Sequence, residues 1–446
     1  MKHIVIVGNG IAGITAARHI RKLSDYKITV ISSESTHFFS RTALMYVYMG
    51  QMKYEHTKPY EDWFWEKNRI ELKYDKVESI NIERKNLQLT KELLEYDQLI
   101  LATGSNYNTL PNINPAIKGV QGLYHLQDLE KLEENTKNIK KAVIVGGGLI
   151  GVELAEILIS RNIEVTFLIR ENTFWGNVLP IEEANVVTQH LTKKGVKVLI
   201  NTELKEVYCS VNQCVIGVLT SKDKKIDCEF IGLTIGVSPN IDLVKNTSIE
   251  SRKGILVNEY LETSEPDIFA IGDCVEHRNP PNERKAIEQI WYSGKLMGET
   301  VAKSICGSPT KYEPNIFYNS AKFFEIEYQV YGKIAQILTA NERTFYWENP
   351  ENNNCLRINY DAESERIIGI HALGIRLRQA TCEKWIRNKS TIKYVLEHLD
   401  EANFNPEFSK PFINAILEKY NLEHPEKPIL IKKKKNIANL ISRIFN

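Results

Sequence analysis

A chain of 446 residues is too long for one ordinary hydrophobic core, so two or three domains are expected. The formal net charge is only +1, with 25% charged residues, which gives no electrostatic footprint for nucleic acid. The cysteines, Cys209, Cys214, Cys228, Cys274, Cys306, Cys355 and Cys382, are odd in number and irregular in spacing, which argues against a secreted disulfide scaffold and for a reducing cytoplasm.

The first strand is expected over residues 3–7, so early that no signal segment fits ahead of it. It runs into Gly8-Asn9-Gly10-Ile11-Ala12-Gly13 and then a helix-like segment over 14–23. A second apolar run, Ala142-Val143-Ile144-Val145, leads in the same way into Gly146-Gly147-Gly148-Leu149-Ile150-Gly151 and a helix-like segment over 152–161. In this setting the glycines permit a tight turn, close approach of a pyrophosphate and close helix packing, and the helix N-terminus attracts the phosphate charge. Two copies, each between strand and helix, predict two bound dinucleotides.

Such a fold needs an acid at the end of its second strand, about 20 residues past the glycines, to accept hydrogen bonds from ribose hydroxyls. Glu34 lies at that distance, beyond the apolar strand 28–31. An aromatic-rich excursion follows (Phe38, Phe39, Tyr46, Tyr48, Trp63, Phe64, Trp65), then a buried strand over 98–102 ending in Thr103-Gly104. In the second copy, strand 165–168 leads to Ile169, Arg170 and Glu171, so the usual acidic position is apolar. Arg170 suits a 2′-phosphate and Glu171 a ribose, which leaves NADH and NADPH both open. The most apolar long stretch, 142–159, holds Glu153, Glu156 and four glycines and already reads as strand, turn and helix, so no membrane span is expected there.

Residues 254–273 return to a strand over 268–271 ending in Gly272-Asp273, followed by a helix over roughly 286–303. From about 310 the pattern changes to strands over 322–328, 355–360 and 366–373, with Phe324, Ile326 and Tyr328 on one buried face, and then helices. The expected fold is α/β: two Rossmann-like dinucleotide-binding domains, the first discontinuous, plus a C-terminal α+β domain. The boundaries are 1–112 with 252–309 for the first, 113–251 for the second, 310–427 for the third, and a basic tail over 428–446.

With Gly8-x-Gly10-x-x-Gly13, Ala102-Thr103-Gly104, the second glycine cluster with Glu153, and Thr263-Ser264-Glu265-Pro266-Asp267-Ile268-Phe269-Ala270-Ile271-Gly272-Asp273, the chain resembles the two-dinucleotide flavoproteins related to pyridine nucleotide-disulfide oxidoreductases. The resemblance covers most of residues 1–310 and weakly the rest, and is nearest to ferredoxin and rubredoxin reductases, nitrite-reductase flavin domains and NADH oxidases. It implies FAD in the first site and NADH or NADPH in the second. It assigns cofactor contacts to Gly8, Gly10, Ile11, Ala12, Gly13, Glu34, Ala102, Thr103, Gly104, Gly272 and Asp273, the last to the flavin ribityl chain. On the nicotinamide side it assigns Gly146, Gly148, Ile150, Gly151, Gly236 and Glu153, the glutamate toward the nicotinamide amide; a glutamate in a helix's first turn also simply suits the helix dipole.

Ser40-Arg41-Thr42-Ala43-Leu44 resembles the stretch that holds flavin in these reductases, which makes Arg41 a pyrophosphate or flavin contact. Tyr46 stands where such relatives often carry a lysine near the isoalloxazine. The helix after Asp273 is expected to point its N-terminus, near Glu288, Gln289 and Ile290, toward the flavin pyrimidine ring, where a positive helix end favours negative charge. Trp291 and Tyr292 either line the flavin or, the more ordinary reading, pack into the core.

Disulfide reductases of this superfamily carry a redox cysteine shortly after the second strand, and residues 31–73 contain none. Nor does the segment from Leu399 to Ser409 hold the His-Pro pair of glutathione-reductase-like members, and His398 is not followed by proline. Cys209-x4-Cys214 lies in a strand and turn far along the chain and reads as incidental. No catalytic residue and no metal ligand is therefore assigned. Electrons are expected to leave the flavin for a redox carrier protein, dioxygen or a small molecule. The rival reading is a redox-sensing flavoprotein of the apoptosis-inducing-factor-like type, acting through partner or oligomer switching. A monomer or homodimer is expected. In the tail, Lys432-Lys433-Lys434-Lys435 precedes apolar positions Ile437, Leu440, Ile441, Ile444 and Phe445 at helical spacing, which suits a frayed tail, a helix folded back on its own domain, or weak docking on an anionic membrane surface or a partner.

Overall fold

The computed structural model describes residues 1–430 except 112, 115, 282, 283, 350, 352 and 406–411, so the basic tail's lysines and the apolar positions after them lie outside the described residues. The chain forms two compact units: Met1–Leu179 with Val187–Asn315, and Pro180–Val186 with the described residues from Ile316 onward.

The first unit contains two five-stranded parallel sheets. In one the order is Ile70–Tyr74, Lys27–Ser32, His3–Val7, Gln98–Leu101, Ile268–Ala270. Its central strands are apolar on both faces, as parallel sheets covered by helices require; Ile4, Val5, Ile6, Leu99, Ile100 and Leu101 are fully buried. In the other the order is Lys197–Leu199, Glu164–Leu168, Lys141–Val145, Phe230–Leu233, Val120–Gln121. Both are Rossmann-like, with the strand that precedes each glycine cluster in the middle. The chain passes between the two at Ser105–Tyr107 and returns at Val237–Pro239, and these short strands pair with each other, antiparallel.

Helix Ile11–Leu23 covers the first sheet, and helix Trp291–Ile305 crosses it at backbone contact. A Cβ on Gly298 would lie 2.5 Å from the Ala12 carbonyl oxygen, so only glycine allows this approach. The expected helix over 286–303 thus begins five residues late. The aromatic excursion between the second and third strands packs on itself, with Tyr60 stacked on Phe64 at 4.7 Å and Trp65 edge-on to both.

The second unit is a five-stranded antiparallel sheet, ordered Tyr318–Phe323, Ile326–Gly332, Ile367–Leu373, Asn354–Asp361, Glu342–Asn349, with helices Gln379–Arg387, Ile392–Glu397 and Ile413–Glu423 packed on it. The expected strand 322–328 is in fact the tip of a hairpin. The chain reverses at Phe324, whose φ of 54° places a phenylalanine in the left-handed region without the usual glycine or asparagine. Phe324, Ile326 and Tyr328 are nonetheless all buried.

Candidate functional site

Gly8 has φ 113°, and a Cβ there would lie 2.0 Å from the Ala102 carbonyl oxygen; a Cβ on Gly13 would lie 2.1 Å from the Gly8 oxygen. These two glycines are demanded by the protein's own backbone. Gly10 differs, because a Cβ there meets nothing within 4 Å. It opens on space beside the N-terminus of helix Ile11–Leu23, where the amides of Ile11, Ala12 and Gly13 have no intrahelical acceptor and no side chain caps them. That is an open cradle of donors suited to a pyrophosphate. Buried Asn9 fixes the loop by donating to the Ser35 carbonyl at 2.8 Å, which ties it to the turn carrying Glu34.

Glu34 and Arg41 meet each other. The guanidinium forks onto both carboxylate oxygens at 2.8 Å, and the Leu126 amide donates to Oε1 at 2.9 Å. Burial pushes the Glu34 carboxyl up, but His125, Arg41 and the Leu126 amide outweigh it and hold it well below the usual carboxylate range. Arg41 lies between two rings, 5.4 Å from the Phe39 centroid and 4.8 Å from that of Tyr124. By lone-pair count Oε2, with one donor, retains an acceptor site for a ribose hydroxyl.

At the carboxyl end of strand Ile268–Ala270, Gly272 has φ 79° and Asp273 follows it. The Tyr124 hydroxyl donates to Asp273 Oδ2 at 3.0 Å. Burial raises the Asp273 carboxyl, against the Tyr124 hydrogen bond and the Arg41 charge. Ala102 backs onto Gly8, and Thr103 donates to the Asn240 carbonyl at 2.6 Å, while Gly104 turns with φ 70°. Gln289 Nε2 donates to buried Ser105 at 2.7 Å, and Ile290 caps helix Trp291–Ile305 with no side-chain bond to its amides. Trp291 and Tyr292 are 46% and 37% exposed, so core packing is not their role.

The second cluster repeats the geometry. Gly146 has φ 104° and would place a Cβ 2.5 Å from the Thr234 carbonyl oxygen, and Gly151 sits 2.7 Å from the Gly146 oxygen by the same measure. Gly148 is open except for Trp175 Nε1 at 3.9 Å, and it starts helix Leu149–Ser160, on which Ile150 is the second residue. Ile169 is apolar for a packing reason: fully buried, its Cδ1 would lie 2.9 Å from a Cβ on Gly147. Exposed Arg170 pairs with Glu171 at 3.0 Å, and Gly236 turns with φ 94° beside Asn108.

Because that helix starts at Leu149, three residues before the expected start, Glu153 sits in its second turn and not its first. The helix-dipole explanation for it is therefore lost. Burial, with Glu156 adding repulsion, pushes the Glu153 carboxyl up to about 7. Tyr124, His125 and Leu126 were not legible as site residues. The nearest sequence signal is the pairing of His125 with Asp128 as a helix-start box, which places helix Leu126–Thr136 but not its neighbours.

The uncapped cradle at Gly10, the acids Glu34 and Asp273 and the second open cluster fit a flavin dinucleotide and a nicotinamide dinucleotide. The fold and site define a two-dinucleotide oxidoreductase architecture. The profile of the pyridine nucleotide-disulphide oxidoreductase family matches residues 2–290, and the chain belongs to that family, whose members bind FAD and NAD(P)H. Rubredoxin-NAD(+) reductase of Pseudomonas putida is 30% identical over 69% of this chain and 80% of its own length. Nitrite reductase [NAD(P)H] of Bacillus subtilis (strain 168) is 28% identical over 73% of this chain, which spans only 40% of that relative. Among solved structures, an NAD-dependent persulfide reductase from A. fulgidus shares the fold with a TM-score of 0.83, at 24% identity over 97% of this chain and 86% of that one.

Proposed function

We propose that the chain is an FAD-dependent oxidoreductase that takes a hydride from NAD(P)H and passes electrons to an acceptor that is not a disulfide, with a small redox carrier protein as the acceptor that fits best. Residues 1–112 and 252–309 form the FAD half, 113–251 the NAD(P) half. When bound, FAD supplies the conversion of a two-electron hydride into electrons released one at a time. The chain's own residues do the rest. The amides at Ile11, Ala12 and Gly13 bind the pyrophosphate, Glu34 a ribose and Asp273 the polyol chain, while Gly146, Gly148 and Gly151 receive the second pyrophosphate with Glu153 directed at the nicotinamide. The N-terminus of helix Trp291–Ile305, with Gln289 and Ile290, holds the ring edge and favours negative charge there.

The observation that carries the reading is the missing thiol. No cysteine stands in residues 31–73, and burial pushes the thiols of Cys228, Cys274, Cys355 and Cys382 up, Cys228 to about 12. A buried thiol kept protonated is a poor nucleophile. The similarity to rubredoxin-NAD(+) reductase supports the carrier. The test is steady-state turnover with NADH and with NADPH against a rubredoxin, a ferredoxin, dioxygen and low-molecular-weight disulfides. Electron flow to a carrier with no disulfide reduction is expected; disulfide reduction as fast as carrier reduction would overturn the proposal.

A further inference from the structure

Asp273, the acid that closes the first nucleotide site, is held from a distant part of the chain. Among the described residues its carboxylate takes one side-chain hydrogen bond, from the Tyr124 hydroxyl to Oδ2 at 3.0 Å. Tyr124 follows strand Val120–Gln121 of the other sheet, 149 positions away in sequence. Its placement is fixed on several sides. The Arg41 guanidinium lies over its ring at 4.8 Å and donates to its carbonyl, its amide donates to Asp128 Oδ2 at 3.0 Å, and the His125 ring stands edge-on at 5.0 Å. Two residues on, the Leu126 amide engages Glu34. One short segment therefore engages both acids of the site.

We propose that Tyr124 is a positioning residue of the flavin site: its hydroxyl fixes Asp273 Oδ2, which leaves Oδ1 to accept from a hydroxyl of the bound flavin's polyol chain. This rests on the reading of the first site as an FAD site. A hydroxyl donating to a carboxylate is a charge-assisted bond, stronger than a neutral one, and it orients the carboxylate as well as keeping it ionised. A phenylalanine at 124 would keep the ring on Arg41 and remove the hydroxyl that holds Asp273.

The test uses the full chain stripped of flavin and titrated with FAD, followed by flavin fluorescence. Tyr124→Phe is expected to raise the Kd about tenfold, and to change it less than about twofold in an Asp273→Asn background, since the effect runs through Asp273. The pH profile gives a second readout. Tyr124 and Arg41, itself forked on Glu34, are the groups that act on the buried carboxyl, both lowering it. Without the hydroxyl Asp273 protonates at higher pH, so FAD release on acidification should begin at higher pH in Tyr124→Phe than in wild type, and Asp273→Asn should not show that shift. Apoprotein melting, followed in parallel, separates loss of fold from loss of ligand. An equal loss of affinity in both backgrounds, or no loss in either, would overturn the positioning role. Failure of the wild type to bind FAD would instead remove the reading of the site on which it rests.

Discussion

Gly8 and Gly10 look alike in the sequence motif and do different work. A Cβ at Gly8 collides with the Ala102 carbonyl at a φ of 113°, so Gly8→Ala should destabilise the fold by about 3 kcal/mol or more, read by urea denaturation of the apoprotein. Gly10→Ala meets nothing, so the same denaturation curve should be nearly unchanged while FAD affinity falls, because the methyl enters the phosphate cradle. Asp273→Ala should weaken flavin retention by about 1–3 kcal/mol, measured by equilibrium dialysis. At this scale the places of the glycines, Glu34 and Asp273 at the strand ends were legible because they are set by local backbone and fixed spacing. The Glu34–Arg41 fork and Tyr124 were not. A seven-residue loop separation carries no rule for who pairs with whom, and the Tyr124–Asp273 contact is made by the tertiary fold alone.

Among the elements, the start of helix Ile181–Lys193 carries a buried charged contact of the second unit. Glu183, fully buried, accepts from Arg357 Nε at 2.5 Å and Nη2 at 2.8 Å and faces His371 Nδ1 at 3.2 Å, with Arg357 and His371 on neighbouring strands. Burial pushes Glu183 up, but His371 and Arg357 prevail and bring it down to about 2, below the 4.5 of a free side chain. A depressed carboxyl contributes stability that is complete above its unfolded value and is lost as the pH falls toward the folded one. Acid unfolding of the second unit between pH 4.5 and 2 should therefore be steep in wild type and shallower in Glu183→Gln, which starts about 3–5 kcal/mol less stable at neutral pH. Near-ultraviolet circular dichroism, with Trp347 and Trp385 in this unit, would follow it. Element types were legible from periodicity, boundaries less so. The reversal at Phe324 carries no glycine or asparagine to announce it, and Glu288, which reads as part of the helix before Trp291, is instead spent on Arg284 and Ser293.

For the molecule as a whole, alkylation of accessible thiols under native conditions should leave NAD(P)H oxidation with an artificial acceptor largely intact, since Cys274, against the Leu101 and Ile271 carbonyls of the first sheet, is buried and residues 31–73 hold no thiol. Selective loss of turnover in alkylated but folded protein would point to a working cysteine. The paired strands Ser105–Tyr107 and Val237–Pro239 bear on how such a chain can be rebuilt. Departure and return share one doorway, so everything between them is a cassette whose two ends already touch. Cut at that doorway, the first parallel sheet keeps all five of its strands, but the piece removed carries Pro180–Val186 of the second unit, Glu183 included. What leaves with the cassette is the second glycine cluster together with Tyr124, Leu126 and Glu183, so any module exchanged for it must bring its own partners for Asp273, Glu34 and Arg357.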